Sequence, residues 1–230
     1  MASRPAPTLF ALPGRDNITR PEHFGLKGFM LTASVPYRDV LSVKGLWAPP
    51  YASSDFMLEV RLHGELVPTD DYLWDGNACW REGRMGDLAV QSVLVTPLER
   101  RAAVLQFMVT NTDGEAVTVP VQMAVRGAVD EVSFWEFSGP GCSERDMPWA
   151  ERAQAWVCEG SREQDARGPS NDMLVKRREN RALAVATDLP MDRWETLCGH
   201  WEGTLTLGPH EERTVHVAMA VGGVTDPEPP

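Results

Sequence analysis

The residues best suited to chemistry in this sequence are flat rings rather than nucleophiles. The run Leu46-Trp47-Ala48-Pro49-Pro50-Tyr51 sets two aromatics on either side of a stiff Pro-Pro unit, and Tyr72-Leu73-Trp74 and Cys79-Trp80-Arg81-Glu82 follow it. Rings held this way can stack on the apolar C–H face of a sugar, while carboxylates, amides and arginines nearby take its hydroxyls. Trp47, Tyr51, Trp74 and Trp80 are therefore the candidate substrate-binding residues. Core burial is the competing fate of each, because a large ring is a major apolar payload.

Residues that could break bonds are harder to assemble. There is no Gly-Lys-Ser or Gly-Lys-Thr phosphate loop and no Gly-x-Ser-x-Gly nucleophile elbow. The five histidines never fall at metal-ligand spacing. Cys198 and His200 could alternate along one strand, but two ligands do not complete a zinc site. His216 is expected on the outer face of the last strand, where a general base would need a hydrogen-bonding partner that the sequence does not identify. Glycoside hydrolysis takes two opposed carboxylates, and among 33 acids chance pairs are unavoidable. Asp70, Asp71 and Asp75, beside Pro68 and Gly76, read as a turn. No catalytic residue, metal or cofactor is assigned. Cys79, Cys142, Cys158 and Cys198 are widely spaced, so reduced and mostly buried thiols are expected, although two bridges are arithmetically allowed. Asn17-Ile18-Thr19 fits a glycosylation acceptor but has no export signal beside it.

Charge narrows the partners. With 22 basic against 33 acidic residues, the net charge is -11, which repels nucleic acid and anionic membrane surfaces and is indifferent to neutral sugars. No apolar run approaches the roughly 20 residues of a membrane-spanning helix. No secretory leader is visible at the start, so a cytoplasmic location is expected.

The elements that must hold the rings are strands. Phe56, Leu58, Val60 and Leu62 alternate with Met57, Glu59, Arg61 and His63, and the same period recurs at Leu105–Val109, Val117–Val125 and Val215–Val221. Further strands are expected at Phe29–Ser34, Leu88–Thr96, Val129–Phe137, Ala155–Glu159, Met173–Lys176 and Leu183–Thr187. Asn111-Thr112-Asp113-Gly114 and Gly208-Pro209-His210 supply hairpin turns. One short helix is allowed at Pro148–Trp156, and 160–172 reads as an exposed polar loop. The fold class is all-β: a large antiparallel β-sandwich, supersandwich-like, with at most one short helix. The expected organisation is an N-terminal tail over 1–20, a sandwich domain over 21–223 and a proline-rich linker over 224–230.

Two stretches carry a resemblance. Thr110-Asn111-Thr112-Asp113-Gly114-Glu115-Ala116-Val117-Thr118-Val119-Pro120-Val121 resembles the strand–turn–strand of sandwich domains that precede a glycosidase barrel. Leu205 to Val215, followed by Ala220-Val221-Gly222-Gly223, resembles their closing hairpin. Such an N-terminal β-supersandwich is found in six-hairpin glycoside hydrolases, and the opening strands from Gly28 to Val60 are similar too. The resemblance implies a carbohydrate-active parent protein whose acid and base lie in a catalytic α/α-barrel domain or subunit. This chain alone would then be no enzyme. It would be an accessory domain packing on the barrel, able to lend a loop to the sugar cleft. A free-standing carbohydrate-binding module and a structural or homo-oligomerising sandwich are the alternatives.

Overall fold

The computed structural model describes residues 12–14, 23–27, 31–36, 39–48, 51–53, 57–125, 129–131, 149–150, 155–159, 181–190, 193–195 and 200–223. These residues form β1 (Leu12–Gly14), β2 (His23–Lys27), β3 (Thr32–Pro36), β4 (Gly45–Ala48), β5 (Tyr51–Ser53), β6 (Leu58–Leu62), β7 (Asp71–Asp75), β8 (Ala78–Met85) and β9 (Leu88–Val95). The chain continues through β10 (Ala102–Asn111), β11 (Val117–Val125), β12 (Val129–Glu131), β13 (Trp149–Ala150), β14 (Ala155–Glu159), β15 (Arg181–Thr187), β16 (Arg193–Glu195), β17 (His200–Leu207) and β18 (Glu212–Gly223). Among the described residues none is helical, and no helix is long and apolar enough to cross a membrane.

Every strand pairing among the described residues is antiparallel. A nine-stranded sheet runs β1-β7-β8-β9-β10-β18-β15-β14-β13, a four-stranded sheet β16-β17-β11-β6, and a five-stranded sheet β12-β5-β4-β3-β2. The alternation seen in the sequence decides which face of each strand turns inward. Leu105, Phe107 and Val109 of β10 and Val215, Val217 and Met219 of β18 are buried from the large sheet. Val119, Val121, Met123, Leu205 and Leu207 are buried from the four-stranded one, and Ala33, Val35, Leu46 and Ala48 from the five-stranded one. All belong to a single core, so the smaller sheets close over the inner face of the large one as a β-sandwich.

Two local readings are corrected. The stretch with Asp71 and Asp75 is not a turn but the strand β7, which runs back as β8 through the two residues Gly76 and Asn77, with Gly76 at φ 54. Trp74 and Trp80 thereby lie in strands rather than loops. The allowed helix at Pro148–Trp156 is replaced by strands, Trp149 pairing with Trp156 across β13 and β14. Val157 and Cys158 continue that strand and zip it onto β15; sheet pairing overrides a three-to-four spacing of aromatics when a neighbouring strand is available. The residues 160–172 and 173–176, together with Asn17 and the stretch 224–230, lie outside the described residues. Leu12–Gly14, within the stretch read as a tail, pairs with β7.

The core contains one charged knot. Arg81 on β8 points inward and is 1% exposed. Its Nη1 donates to the backbone oxygens of Pro36 (3.2 Å), Asp39 (2.5 Å) and Ser42 (2.9 Å), while its buried Nε and Nη2 have no hydrogen-bond partner among the described residues. The segment 39–43 is thus docked on the large sheet by polar bonds, helped by the Ser92 hydroxyl donating to the Val40 carbonyl. Burial lowers the pKa of the Arg81 guanidinium, and nearby Cys79 and Asp39 oppose that shift. Burial likewise pushes the free Cys79 thiol up to about 11, which keeps it protonated and unreactive at neutral pH.

Asp39 is buried beside Arg81, and its pKa is raised. Burial is the dominant cause, opposed first by the hydrogen bond with Ser42, then by the Leu41 N–H and the Arg81 charge. A carboxyl whose pKa is higher in the folded than in the unfolded chain holds its proton more tightly when folded. Stability from this group is therefore full below the ordinary value of 3.8 and is lost as pH rises through the raised value. Urea unfolding over a pH series should show that loss in the wild type. Asp39→Asn, which keeps an oxygen acceptor for Leu41, should remove this component; an unchanged pH dependence in the variant would refute it.

Candidate functional site

The register of the strands places each of the four candidate rings. In the β4–β5 hairpin Ala48 pairs with Tyr51 and Trp47 with Ala52. Ala48 is buried, so Tyr51 shares the inward face and packs against the core, whereas Trp47 is half-buried on the opposite face. The Arg101 guanidinium stands 5.6 Å from the centre of the Tyr51 ring, within cation–π range. In the β7–β8 hairpin Trp74 pairs with Cys79 and Leu73 with Trp80. Cys79 is a core residue, so Trp74 faces inward against the core, and Trp80 lies on the outer face of the large sheet. The structure therefore brings Tyr51 and Trp74 to the inner side and turns Trp47 and Trp80 away from it. The four rings do not form one coplanar platform.

The outer face of the large sheet carries a second polar arrangement that sequence reading only half identified. A cross-strand row runs Leu73, Trp80, Val93, Gln106, His216 from β7 through β8, β9 and β10 to β18. Leu73 and Val93 are buried and Trp80 half-buried, while Gln106 is half-buried and His216 exposed, so the row opens to solvent toward β18. Beside His216, just past the end of β15, stands Asp188. Its Oδ1 accepts from the His216 backbone N–H at 2.8 Å, and its Oδ2 lies 2.7 Å from the His216 Nδ1. The Asp188 N–H in turn donates to the His216 carbonyl at 3.3 Å. Leu189, buried in the next position, anchors the turn, and its N–H donates to the Thr187 hydroxyl at 3.2 Å.

This geometry fixes the chemistry available. An ionised carboxylate only accepts hydrogen bonds, so a neutral His216 facing Asp188 carries its proton on Nδ1 and presents Nε2 as an acceptor. His216 was legible as an outer-face histidine on β18, but its partner sits 28 residues earlier and becomes a neighbour only through the β15–β18 register. The turn signature Thr187-Asp188-Leu189-Pro190, with Asp directly after a strand, is the one local sign of it.

Elsewhere, His200 Nε2 lies 3.4 Å from Glu202 Oε1, which also accepts from Gln122 Nε2 at 3.2 Å. This arrangement sits on the solvated face of the four-stranded sheet. Cys198, the other half of the expected pair, lies outside the described residues. Among the described residues no three His, Cys, Asp or Glu side chains are grouped as a metal site would require.

No protein-family model matches the chain, and no curated protein is significantly similar to it in sequence. Solved structures are similar to it to differing degrees. A protein described as a kojibiose phosphorylase from the human microbiome superposes with a TM-score of 0.56 at 10% identity, over 93% of this chain and 32% of that one. This chain thus spans about a third of that structure's length. A protein described as an aldose 1-epimerase from Escherichia coli K12 gives 0.47 at 11% identity, covering 87% of this chain and 99% of the other. A galactose mutarotase related enzyme from Lactobacillus acidophilus gives 0.48 at 8% identity, covering 89% and 98%.

Proposed function

We propose that this chain is a carbohydrate-associated β-sandwich that serves as a non-catalytic accessory domain of a glycoside hydrolase or related enzyme, packing on a catalytic α/α-barrel domain. The observation that carries the reading is the fold shared with the phosphorylase-like protein, where the matching portion is about a third of a much longer chain. Two features agree with it. Among the described residues the inner face of the large sheet is filled by packed side chains. The net charge of -11 disfavours polyanionic partners and is indifferent to a neutral sugar. The organisation that goes with this reading is a sandwich domain over 21–223, flanked by a tail and a linker.

Assaying the purified chain alone for release of reducing sugar or sugar phosphate from disaccharides tests the proposal. No turnover is expected; turnover by the chain alone would overturn it.

The two rings turned away from the core, Trp47 and Trp80, are what favours the binding-module alternative. Trp47, on the outer face of the five-stranded sheet, and Trp80, on the outer face of the large one, are two separate stacking positions, while Tyr51 and Trp74 pack against the core. Loss of one stacking ring removes up to about 1.5 kcal/mol, or roughly tenfold in affinity. Titration calorimetry with oligosaccharides should show such a loss for Trp47→Ala and for Trp80→Ala. Unchanged affinity in both would remove both stacking positions.

A further inference from the structure

We infer that the open end of the outer-face row, formed by His216, Asp188 and Gln106, is a binding site for vicinal hydroxyls of a neutral sugar. The inference rests on the carbohydrate reading above and gives it a location.

Each part of the site has a chemical reason. Asp188 engages both the backbone N–H and the ring Nδ1 of His216, at 2.8 and 2.7 Å. One carboxylate thereby sets the rotamer and the tautomer together. The ring's Nε2 is left as a hydrogen-bond acceptor at the exposed side of the sheet. On the neighbouring strand Gln106 is the direct cross-strand partner of His216. Side chains opposite one another in an antiparallel pair have Cβ atoms about 4.5–5.5 Å apart. Its amide offers both donors and an acceptor. An imidazole acceptor next to an amide matches two adjacent hydroxyls, each of which can donate to one group and accept from another.

The surroundings suit a sugar rather than an ion. Along β18 the residues flanking His216 on this face are Thr214 and Ala218, and along β10 they are Met108 and Val104. Ala186 lies beside Ala218 on β15. Small and apolar side chains leave room above His216 and give the C–H face of a ring something to lie against. An anionic ligand would meet the Asp188 charge as well as the negative field of the whole molecule. Val93 and Trp80, buried and half-buried further along the row, close it on the β9 side. A ligand is thus confined to the β10–β18–β15 part of the face.

The test is NMR titration of the full chain with D-glucose, D-galactose and kojibiose, following the imidazole nitrogens and the Gln106 side-chain amide. At least one sugar is expected to shift both sets of signals. His216→Ala and Gln106→Ala should each weaken binding about tenfold or more. Asp188 is a positioning residue. Asp188→Asn should weaken binding less and, in the free protein, should move the His216 nitrogen shifts away from the Nδ1–H tautomer, a change that a purely structural role would not produce. Leu98→Ala, at an exposed position between β9 and β10 and outside the row, should bind as the wild type does.

Binding that survives His216→Ala, or sugars that leave the His216 and Gln106 signals unmoved, would overturn the site. If binding then proved sensitive to Trp47→Ala, the carbohydrate reading would stand while this location fell. Turnover by the chain alone would instead overturn the accessory role and leave the site intact.

Discussion

Arg81→Met is expected to destabilise the folded chain by about 3–5 kcal/mol, the range for removing one partner of a buried charged arrangement. The reasoning turns on what is left behind. The guanidinium Nη1 serves three carbonyl oxygens, of Pro36, Asp39 and Ser42. Those acceptors belong to the backbone and cannot be mutated away with it. Each buried carbonyl stripped of its donor costs about 1–3 kcal/mol. Returning a buried cation to water offsets part of this loss, since Arg81 is 1% exposed and its pKa is lowered by burial. Methionine restores the volume but none of the hydrogen bonds. The measurement is the urea midpoint at constant m-value. Asp39→Asn in the Arg81→Met background should recover part of the deficit, because the buried carboxyl then has no charge to leave uncompensated. A midpoint within error of wild type would show that segment 39–43 is held by its apolar residues alone.

Gly83→Val should leave little folded protein. A Cβ built on Gly83 would lie 1.9 Å from the Pro68 carbonyl oxygen and 2.9 Å from Val40 Cγ2. The first of these is backbone, and it cannot retreat cheaply. Pro68 bridges to Asp39, and the Val67 carbonyl accepts from the Val40 N–H at 3.0 Å, so moving Pro68 disturbs the same segment that Arg81 holds. Overpacking costs typically about 1–3 kcal/mol, and more where the obstacle is rigid. Alanine should cost at least about 3 kcal/mol here, and valine more. Gly114→Ala is the internal comparison, because nothing lies within 4 Å of its added Cβ and its φ is not positive. That change should be neutral or gain a few tenths of a kcal/mol by restricting the unfolded chain. Thermal melts of the two variants side by side decide the matter. A Gly83→Ala protein melting with wild type would contradict the close approach.

These two residues also explain where the sequence was hard to read. Strands β9, β10, β11 and β18 were legible because apolar residues occupy most of their inward positions, and β9 and β11 appear within a residue of their expected bounds. The inward positions of β8 are instead Cys79, Arg81, Gly83 and Met85, a pattern that hides the period of two. Its partner β7 was masked by aspartates that suggest a turn. The signal that could have found both is the pair of glycine-led two-residue turns, Gly76-Asn77 and Gly86-Asp87, with both glycines at positive φ. For the rings, the residue types were readable but the faces were not. Which way Trp47 and Tyr51 point depends on the β4–β5 register, and no local pattern fixes it across Pro49-Pro50. His216 was correctly placed outside the core, whereas Asp188 required a tertiary pairing to bring it near.

The placement of β18 between β10 and β15 has a kinetic consequence. Leu105 pairs with Val217 and Phe107 with Val215, so the middle of the large sheet is sealed by contacts more than a hundred residues apart in sequence. The β7–β10 meander can form from neighbouring hairpins soon after it is made, but β10 then presents an unpaired edge and an open apolar face. Closing so long a loop costs entropy before any contact repays it. During synthesis the chain must therefore wait for its last described strand to leave the ribosome, and over that interval it is most exposed to pairing with another copy of itself.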